Sequence, residues 1–595
     1  MFRPRPPGHH LSVARRCDAA AVDRRKFLQY GTAAGITVAI GSGPLGAFAR
    51  GSRPPVRSVA TGRAYTPVAA FPSGVISGDP LSDGVVLWTR IDPATAGAGI
   101  DVAWEVATDA AFGPGTVVAS GTETTTASSD HTVHAEVSGL SAATTYWYRF
   151  TAGAETSPVG RTRTLPSGSV ERLRIAYFSC ERFVHGYYTA HADLASLALD
   201  PATDVDLVVC LGDYVYEAGP ADEVTVPGRV DPDAAQVTIE DFRRQYHRYR
   251  TDLDLQAVHA AYPFVGIFDN HDGMSRPADP SGPGAMAAFF EQMPVRVDGA
   301  EPTRQYRSFV LGDLAEVFLL DERQYRDPEP SDESGNAIGT TSMDQPEMVE
   351  PGRTMLGAAQ LDWLKGGLAG SGAAWKIIGS QLMFAPLRSQ VFPEAQDDDL
   401  QRNAGRYVNL TQWDGYQAER RILVDHIHDA GVEDVMAIAG DTHFWTTSEI
   451  PKDYDDPTSP LVLTEFGGSS ITSANAGEMK DLPGNEVIRP VVAGANPLTL
   501  RYMEAETHGY GLIELASAKA SVAYRSPASI TTATSTTAVL ARFEVERGTA
   551  TVVMVEGEGF MPRPDPEDPT DPTDPAGDPE AAPADAVAGS PSYTG

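Results

Sequence analysis

The chain has 595 residues, too many for one domain, so two or more folded units are expected. An apolar fraction of 42% is ordinary for a protein with large cores. The formal charge of -34 argues against non-specific binding to DNA or to an anionic membrane surface.

The first 49 residues read as an export signal. Arg15, Arg16, Arg24, Arg25 and Lys26 precede a weakly apolar stretch rich in Gly and Ala, and Ala47-Phe48-Ala49 is a plausible cleavage site. Asp-Arg-Arg-Lys-Phe-Leu at 23–28 resembles the twin-arginine signal, the route for proteins exported already folded. A linker at 50–69 follows, and no later run of 18 apolar residues would cross a membrane.

Residues 70–168 carry the marks of a small β-sandwich. Short strands are expected at 85–91, 101–106, 131–137 and 145–150, separated by turns rich in Gly, Ser and Asp. Leu140 with Tyr146 and Tyr148 suggests a tyrosine packed at a sandwich corner.

From 169 to 560 the pattern becomes α/β. Strand runs at 173–179, 205–211, 263–268, 315–321, 375–379 and 433–439 alternate with helices at 239–250, 360–368 and 413–430. Strands return at 460–466, 510–515, 521–524 and 549–555. The expected architecture is four layers, two mixed sheets packed between helices. The polar stretch 326–356 has no clean period and reads as a long loop near the site. Residues 561–595, with repeated Asp-Pro units, read as a disordered acidic tail.

Three of the apolar runs deliver polar groups at their ends: Gly212-Asp213 with Tyr216, Asp269-Asn270-His271, and Gly440-Asp441 with His443. A fourth run ends at Cys180. Ligands collect at such strand ends in a sheet covered on both faces. Asp213 could bridge two cations, and Asn270 would add a neutral oxygen. Cys180, Tyr216 and His443 form a softer set that suits a trivalent iron, whereas Asp213, Asn270 and Asp441 suit Ca²⁺ or Mg²⁺. An exported protein usually pairs its cysteines, so a Cys180–Cys210 disulfide is the alternative to Cys180 as a ligand. His185 and His191 are expected on a surface loop or helix.

Several motifs in order resemble the alkaline phosphatase D (PhoD) family, within the calcineurin-like metallophosphoesterases. They are Phe-Pro-Ser-Gly-Val-Ile-Ser-Gly-Asp-Pro at 71–80, Gly-Asp-Tyr-Val-Tyr-Glu at 212–217, Leu-Asp-Glu-Arg-Gln-Tyr-Arg at 320–326, Trp-Asp-Gly-Tyr at 413–416 and Gly-Asp-Thr-His at 440–443. The resemblance implies an Fe³⁺ site of Cys180, Asp213, Tyr216 and His443, and a neighbouring Ca²⁺ site of Asp213, Asn270 and Asp441. One or two calcium ions are implied, with Mg²⁺ or Mn²⁺ as substitutes. The family's usual Trp-Asp-Asp-His-Glu reads Phe-Asp-Asn-His-Asp at 268–272 here, so an amide replaces a carboxylate at a ligand position.

By the same resemblance, a metal-bound hydroxide attacks phosphorus in line. His271 is the candidate to assist the leaving group, and Arg182 and Arg323 the candidates to clamp phosphate. The implied activity is that of an exported alkaline phosphatase acting on monoesters, diesters or both. A phospholipase D-like or teichoic-acid phosphodiesterase of the same family is the rival reading. The expected partners are a phosphate ester and the twin-arginine export machinery, with no stable nucleic-acid partner and a monomeric state.

Overall fold

A computed structural model describes residues 65–216, 225–231, 236–274, 277, 279–330, 346–389, 406–407, 409–475, 477–478 and 483–564. The expected export signal, most of the linker, the middle of the 326–356 loop and nearly all of the acidic tail lie outside the described residues.

The strand Arg172–Phe178 shows how the layers arise. Ile175 and Tyr177 point to one face and Ala176 and Phe178 to the other, and all four are buried. With a side-chain period of two, such a strand must be covered on both faces. It lies inside a ten-stranded sheet ordered Val552–Glu556, Thr537–Glu546, Lys519–Pro527, Tyr510–Ala516, Arg172–Phe178, Leu207–Cys210, Pro263–Gly266, Val75–Gly78, Gly84–Arg90, Thr132–Ser138. Arg172–Phe178, Leu207–Cys210 and Pro263–Gly266 run parallel, so their C-terminal ends share one edge.

A seven-stranded sheet is ordered Arg307–Leu311, Ala315–Leu319, Trp375–Gly379, Val435–Ala439, Leu461–Gly467, Trp445–Pro451, Leu500–Glu504. Its middle four strands, from Ala315–Leu319 to Leu461–Gly467, are parallel. Ile175, Tyr177, Leu207 and Val209 of the first sheet share a core with Val317, Leu319, Ile377, Met436 and Ile438 of the second. The opposite face of the first sheet packs on Thr189–Ser196, Ile239–Tyr249, Leu253–Ala261 and Gly282–Gln292. That of the second packs on Gly357–Gly370, Gln417–Asp429 and Arg489–Ala495. This is the expected four-layer arrangement. The helix expected at 413–430 is divided, with a tight turn at Trp413–Tyr416 before Gln417–Asp429.

The N-terminal region is β-rich, as expected, but it is joined to the larger sheet. Val75–Gly78 pairs with Pro263–Gly266, so Val75–Gly78, Gly84–Arg90 and Thr132–Ser138 extend the ten-stranded sheet. A separate sheet containing Gly99–Ala107, Val117–Thr126 and Thr145–Ala152 faces them across a core of Val75, Leu87, Val106, Tyr148 and Phe150. The corner tyrosine is present: Tyr146 Oη accepts the Ser141 N–H at 2.9 Å. Among the described residues, no helix is long and apolar enough to cross a membrane.

Candidate metal centre

The parallel strands of the two sheets end at one place. Cys180 follows Arg172–Phe178, Asp213 follows Leu207–Cys210, and Asp269 to His271 follow Pro263–Gly266. From the other sheet, Asp441 and His443 follow Val435–Ala439, and Arg323 follows Ala315–Leu319. Pairing of Ser179 with Ser470 ties the region together. Four of these residues, Cys180, Asp213, Asp441 and His443, have φ between 53° and 63°, a left-handed backbone that side-chain-bearing residues seldom adopt. Such conformations cost about 1–3 kcal/mol each and persist only where the surroundings impose them, typically at functional sites.

The glycines of the two Gly-Asp steps have a steric reason. Gly212 has φ of 107°, and a Cβ there would lie 2.3 Å from Asp269 Cβ. At Gly440 a Cβ would lie 2.5 Å from Ser179 Oγ. Any larger residue at either step would push the strand ends apart.

Two groups of ligand atoms result, each with its atoms within 4.8 Å of one another: Cys180, Asp213 and His443, and Asp213, Asp269 and Asp441. Asp213 belongs to both. Tyr216 Oη donates to Asp213 Oδ2 at 2.9 Å and lies 3.3 Å from His443 Nε2, so the phenol borders the first group. His443 Nδ1 lies 2.9 Å from the Ala474 carbonyl, which can only accept, so Nδ1 carries the proton and the Nε2 lone pair faces the cluster. Cys180 and Cys210 are both free, without the disulfide considered from sequence.

Burial dominates the electrostatics. It pushes the Cys180 thiol well above its ordinary value, with Asp213 and Asp441 adding to the effect. It likewise raises Asp213 and Asp441, each reinforced by Asp269, and holds His443 at about 3. Asp269 Oδ2 is buried with no hydrogen-bond partner among the described residues. Arg323 brings one positive charge to this group of three carboxylates, so negative charge remains in excess and the donors present fit a further bound cation.

The flanking residues are arranged around this centre. His271 is half-buried, its ring stacked 4.3 Å from that of Tyr216, and its N–H donates to Asp213 Oδ1 at 3.0 Å. Arg182 is also half-buried, with its guanidinium 5.4 Å from the Tyr216 ring centre. Asn270 is buried, and its Oδ1 accepts from Arg323 Nη2 at 3.0 Å. Arg323, expected as a phosphate clamp, directs its donors to Asp269, Asn270 and Asp441.

Three residues near the centre escaped sequence reading. Asp269 supplies a carboxylate where only Asn270 was expected; its signal was the acid immediately before the amide. Asp272 is fully buried and accepts the N–H groups of Asp213, Val215 and Asp269 at 3.0, 3.0 and 2.9 Å, stitching two strand ends together. Gln412 donates to Asp441 Oδ2 and accepts from the Met383 N–H at 2.6 Å; nothing in its local sequence announced it. His185 and His191 are not on the surface. His185 is buried and accepts the Ala474 N–H at 2.8 Å, behind His443, while His191 is sealed against Glu181 at 2.6 Å.

Comparison with known proteins places the chain in a family. The family model for PhoD-like phosphatase matches residues 175–524, and that for the PhoD-like phosphatase N-terminal domain matches residues 58–166. Alkaline phosphatase D of Bacillus subtilis (strain 168) is 34% identical over 506 residues, 78% of this chain and 79% of that protein. A solved structure described as "Structure of PhoD" superposes with a TM-score of 0.71 at 31% identity, over 84% of this chain and 94% of its own. The longer matched span includes every residue of the centre, and the chain belongs to the PhoD-like phosphatase family.

Proposed function

We propose that this phosphatase is an exported, metal-dependent phosphoric ester hydrolase whose centre holds Fe³⁺ and Ca²⁺. The observation that carries the reading is Asp213, whose carboxylate belongs to both ligand groups. A carboxylate has two oxygens and can serve two cations at once. Cys180, Asp213, Tyr216 and His443 would hold the iron, since thiolate, phenolate and imidazole suit it better than an alkaline earth. Asp213, Asp269, Asn270 and Asp441 would hold one or two calcium ions, with Mg²⁺ or Mn²⁺ as substitutes, because every donor is an oxygen. When bound, the cations make water more acidic and neutralise the phosphate oxygens.

The chain's own residues supply the rest. Arg182, beside Tyr216, binds phosphate oxygens through paired N–H donors. As the ester P–O bond breaks, His271 gives a proton to the departing oxygen, and its backbone N–H keeps Asp213 oriented. The twin-arginine leader supports export of a folded, metal-loaded protein.

Elemental analysis of the purified mature protein, with turnover of p-nitrophenyl phosphate and bis-p-nitrophenyl phosphate, tests the reading. Iron and calcium are both expected. Gentle chelation should abolish turnover while leaving iron in place, and Ca²⁺ should restore it. Cys180→Ser should lose iron and Cys210→Ser should retain it. Full-rate hydrolysis by iron-only or metal-free protein would refute the two-cation reading. Rescue by Mg²⁺ or Mn²⁺ but not Ca²⁺ would refute only the choice of ion, and the ratio of the two substrates separates monoesterase from diesterase.

A further inference from the structure

The second ligand group already contains a cation. The Arg323 side chain is 1% exposed. Its Nε donates to Asp269 Oδ1, and its Nη2 donates to Asn270 Oδ1 at 3.0 Å and Asp441 Oδ1 at 3.2 Å. One guanidinium therefore gathers three of the four side chains assigned above to the alkaline-earth ion. A planar fork of N–H donors suits this task, whereas a lysine ammonium could satisfy it only as a point charge.

The arginine is held from behind. Its N–H donates to Asp321 Oδ1 at 3.2 Å. The preceding Glu322 accepts from Trp413 Nε1 at 2.7 Å, Ser380 Oγ at 2.6 Å and the Leu382 N–H at 2.8 Å. The Glu322 N–H donates to Gln381 Oε1 at 3.2 Å, and Gln381 Nε2 donates to the Phe268 carbonyl at 2.9 Å. The segment bearing Arg323 is thus fastened to the segment bearing Asp269 by contacts that involve neither the Arg323 guanidinium nor the Asp269 carboxylate.

We propose that Arg323 is the resident counter-charge of the second cation site: it gathers Asp269, Asn270 and Asp441 when no divalent ion is bound and competes with that ion for Asn270 Oδ1 and Asp441 Oδ1. This rests on reading the second group as a cation site. Coulomb's law gives the sign. A guanidinium sharing oxygens with a divalent ion raises that ion's free energy, and removing the guanidinium should tighten binding. Asp269 and Asp441 left without either cation repel one another, so the same change should weaken the calcium-free fold. Arg323 is a positioning residue in this account, and its presence would keep calcium exchangeable.

The test uses iron-loaded wild type, Arg323→Met and Arg323→Lys. Calcium affinity is read by equilibrium dialysis with radioactive Ca²⁺, and thermal midpoints are recorded with and without calcium. Arg323→Met should bind calcium about tenfold more tightly or better. It should also melt below wild type without calcium, and the gap should narrow when calcium is added. Arg323→Lys keeps the charge but loses the fork, so it should fall between. A merely structural arginine would give the opposite sign, with calcium binding weakened by its loss. Unchanged or weaker calcium binding by a folded, iron-loaded Arg323→Met overturns the proposal. If that variant does not fold, unchanged or weaker binding by Arg323→Lys overturns it. If wild type binds no divalent ion at all, the second cation site is absent and both readings fall together.

Discussion

Asp272 holds the centre together without belonging to either ligand group. Its carboxylate accepts three backbone N–H groups, two of them from Asp213 and Asp269, residues of the second group. Asp272→Ala would leave three buried donors without their acceptor, each costing about 1–3 kcal/mol. We expect a loss of at least about 3 kcal/mol in denaturant unfolding, together with reduced iron content. Asp272→Asn, which keeps one acceptor oxygen, should be intermediate. At Tyr216 the expectation is spectroscopic. Tyr216→Phe keeps the packing against His271 but removes the phenol oxygen, so the visible band expected of the proposed iron–tyrosinate pair should be missing from a protein that still folds. Persistence of that band would remove Tyr216 from the iron site.

At the scale of elements, segments that follow the strands are suspended from buried carboxylates. Glu465, in Leu461–Gly467, accepts from the Phe384 and Ala385 N–H groups and anchors the stretch after Trp375–Gly379. Burial outweighs those bonds and pushes its carboxyl up to about 7. A folded-state value above the unfolded one means the folded chain binds the proton more tightly. Its contribution to stability is therefore complete below the ordinary carboxylate range and is lost as pH rises through about 7. Glu465→Gln should flatten the fall of the thermal midpoint between about pH 4.5 and 7, measured at fixed cation loading. Parallel curves for variant and wild type would show that Glu465 does not titrate there.

Across the whole molecule, the centre is a joint between two sheets, so the packing between them sets its dimensions. Ile438 lies on the strand that delivers Asp441 and is buried in the core shared by both sheets. Ile438→Ala should cost about 2–5 kcal/mol and weaken calcium binding, because the cavity lies between the surfaces that hold the ligands. Val106, in the N-terminal sandwich core, is the control: Val106→Ala should reduce stability while leaving calcium affinity unchanged. Equal effects of both substitutions on calcium affinity would contradict the joint.

The four layers and most of the candidate centre are legible in the chain, because both are written in local patterns. Strands such as Arg172–Phe178 and Val435–Ala439 are short apolar runs, and covered parallel strands must be apolar on both faces. Cys180, Asp213, His271, Asp441 and His443 were legible because each follows such a run within a few residues. The helix Gly282–Gln292 was not, since its Gly-Pro-Gly start reads as a turn until Ala285, Met286 and Phe289 find the sheet to pack against. Tertiary structure alone decided the joining of Val75–Gly78 to Pro263–Gly266, a pairing across nearly 190 residues that no local period encodes. It also sets the hydrogen-bond partners of Gln412, His185 and Arg323. A hydrogen bond is specific only in three dimensions, and nothing in the sequence around Arg323 announces that Asp269, Asn270 and Asp441 lie around it.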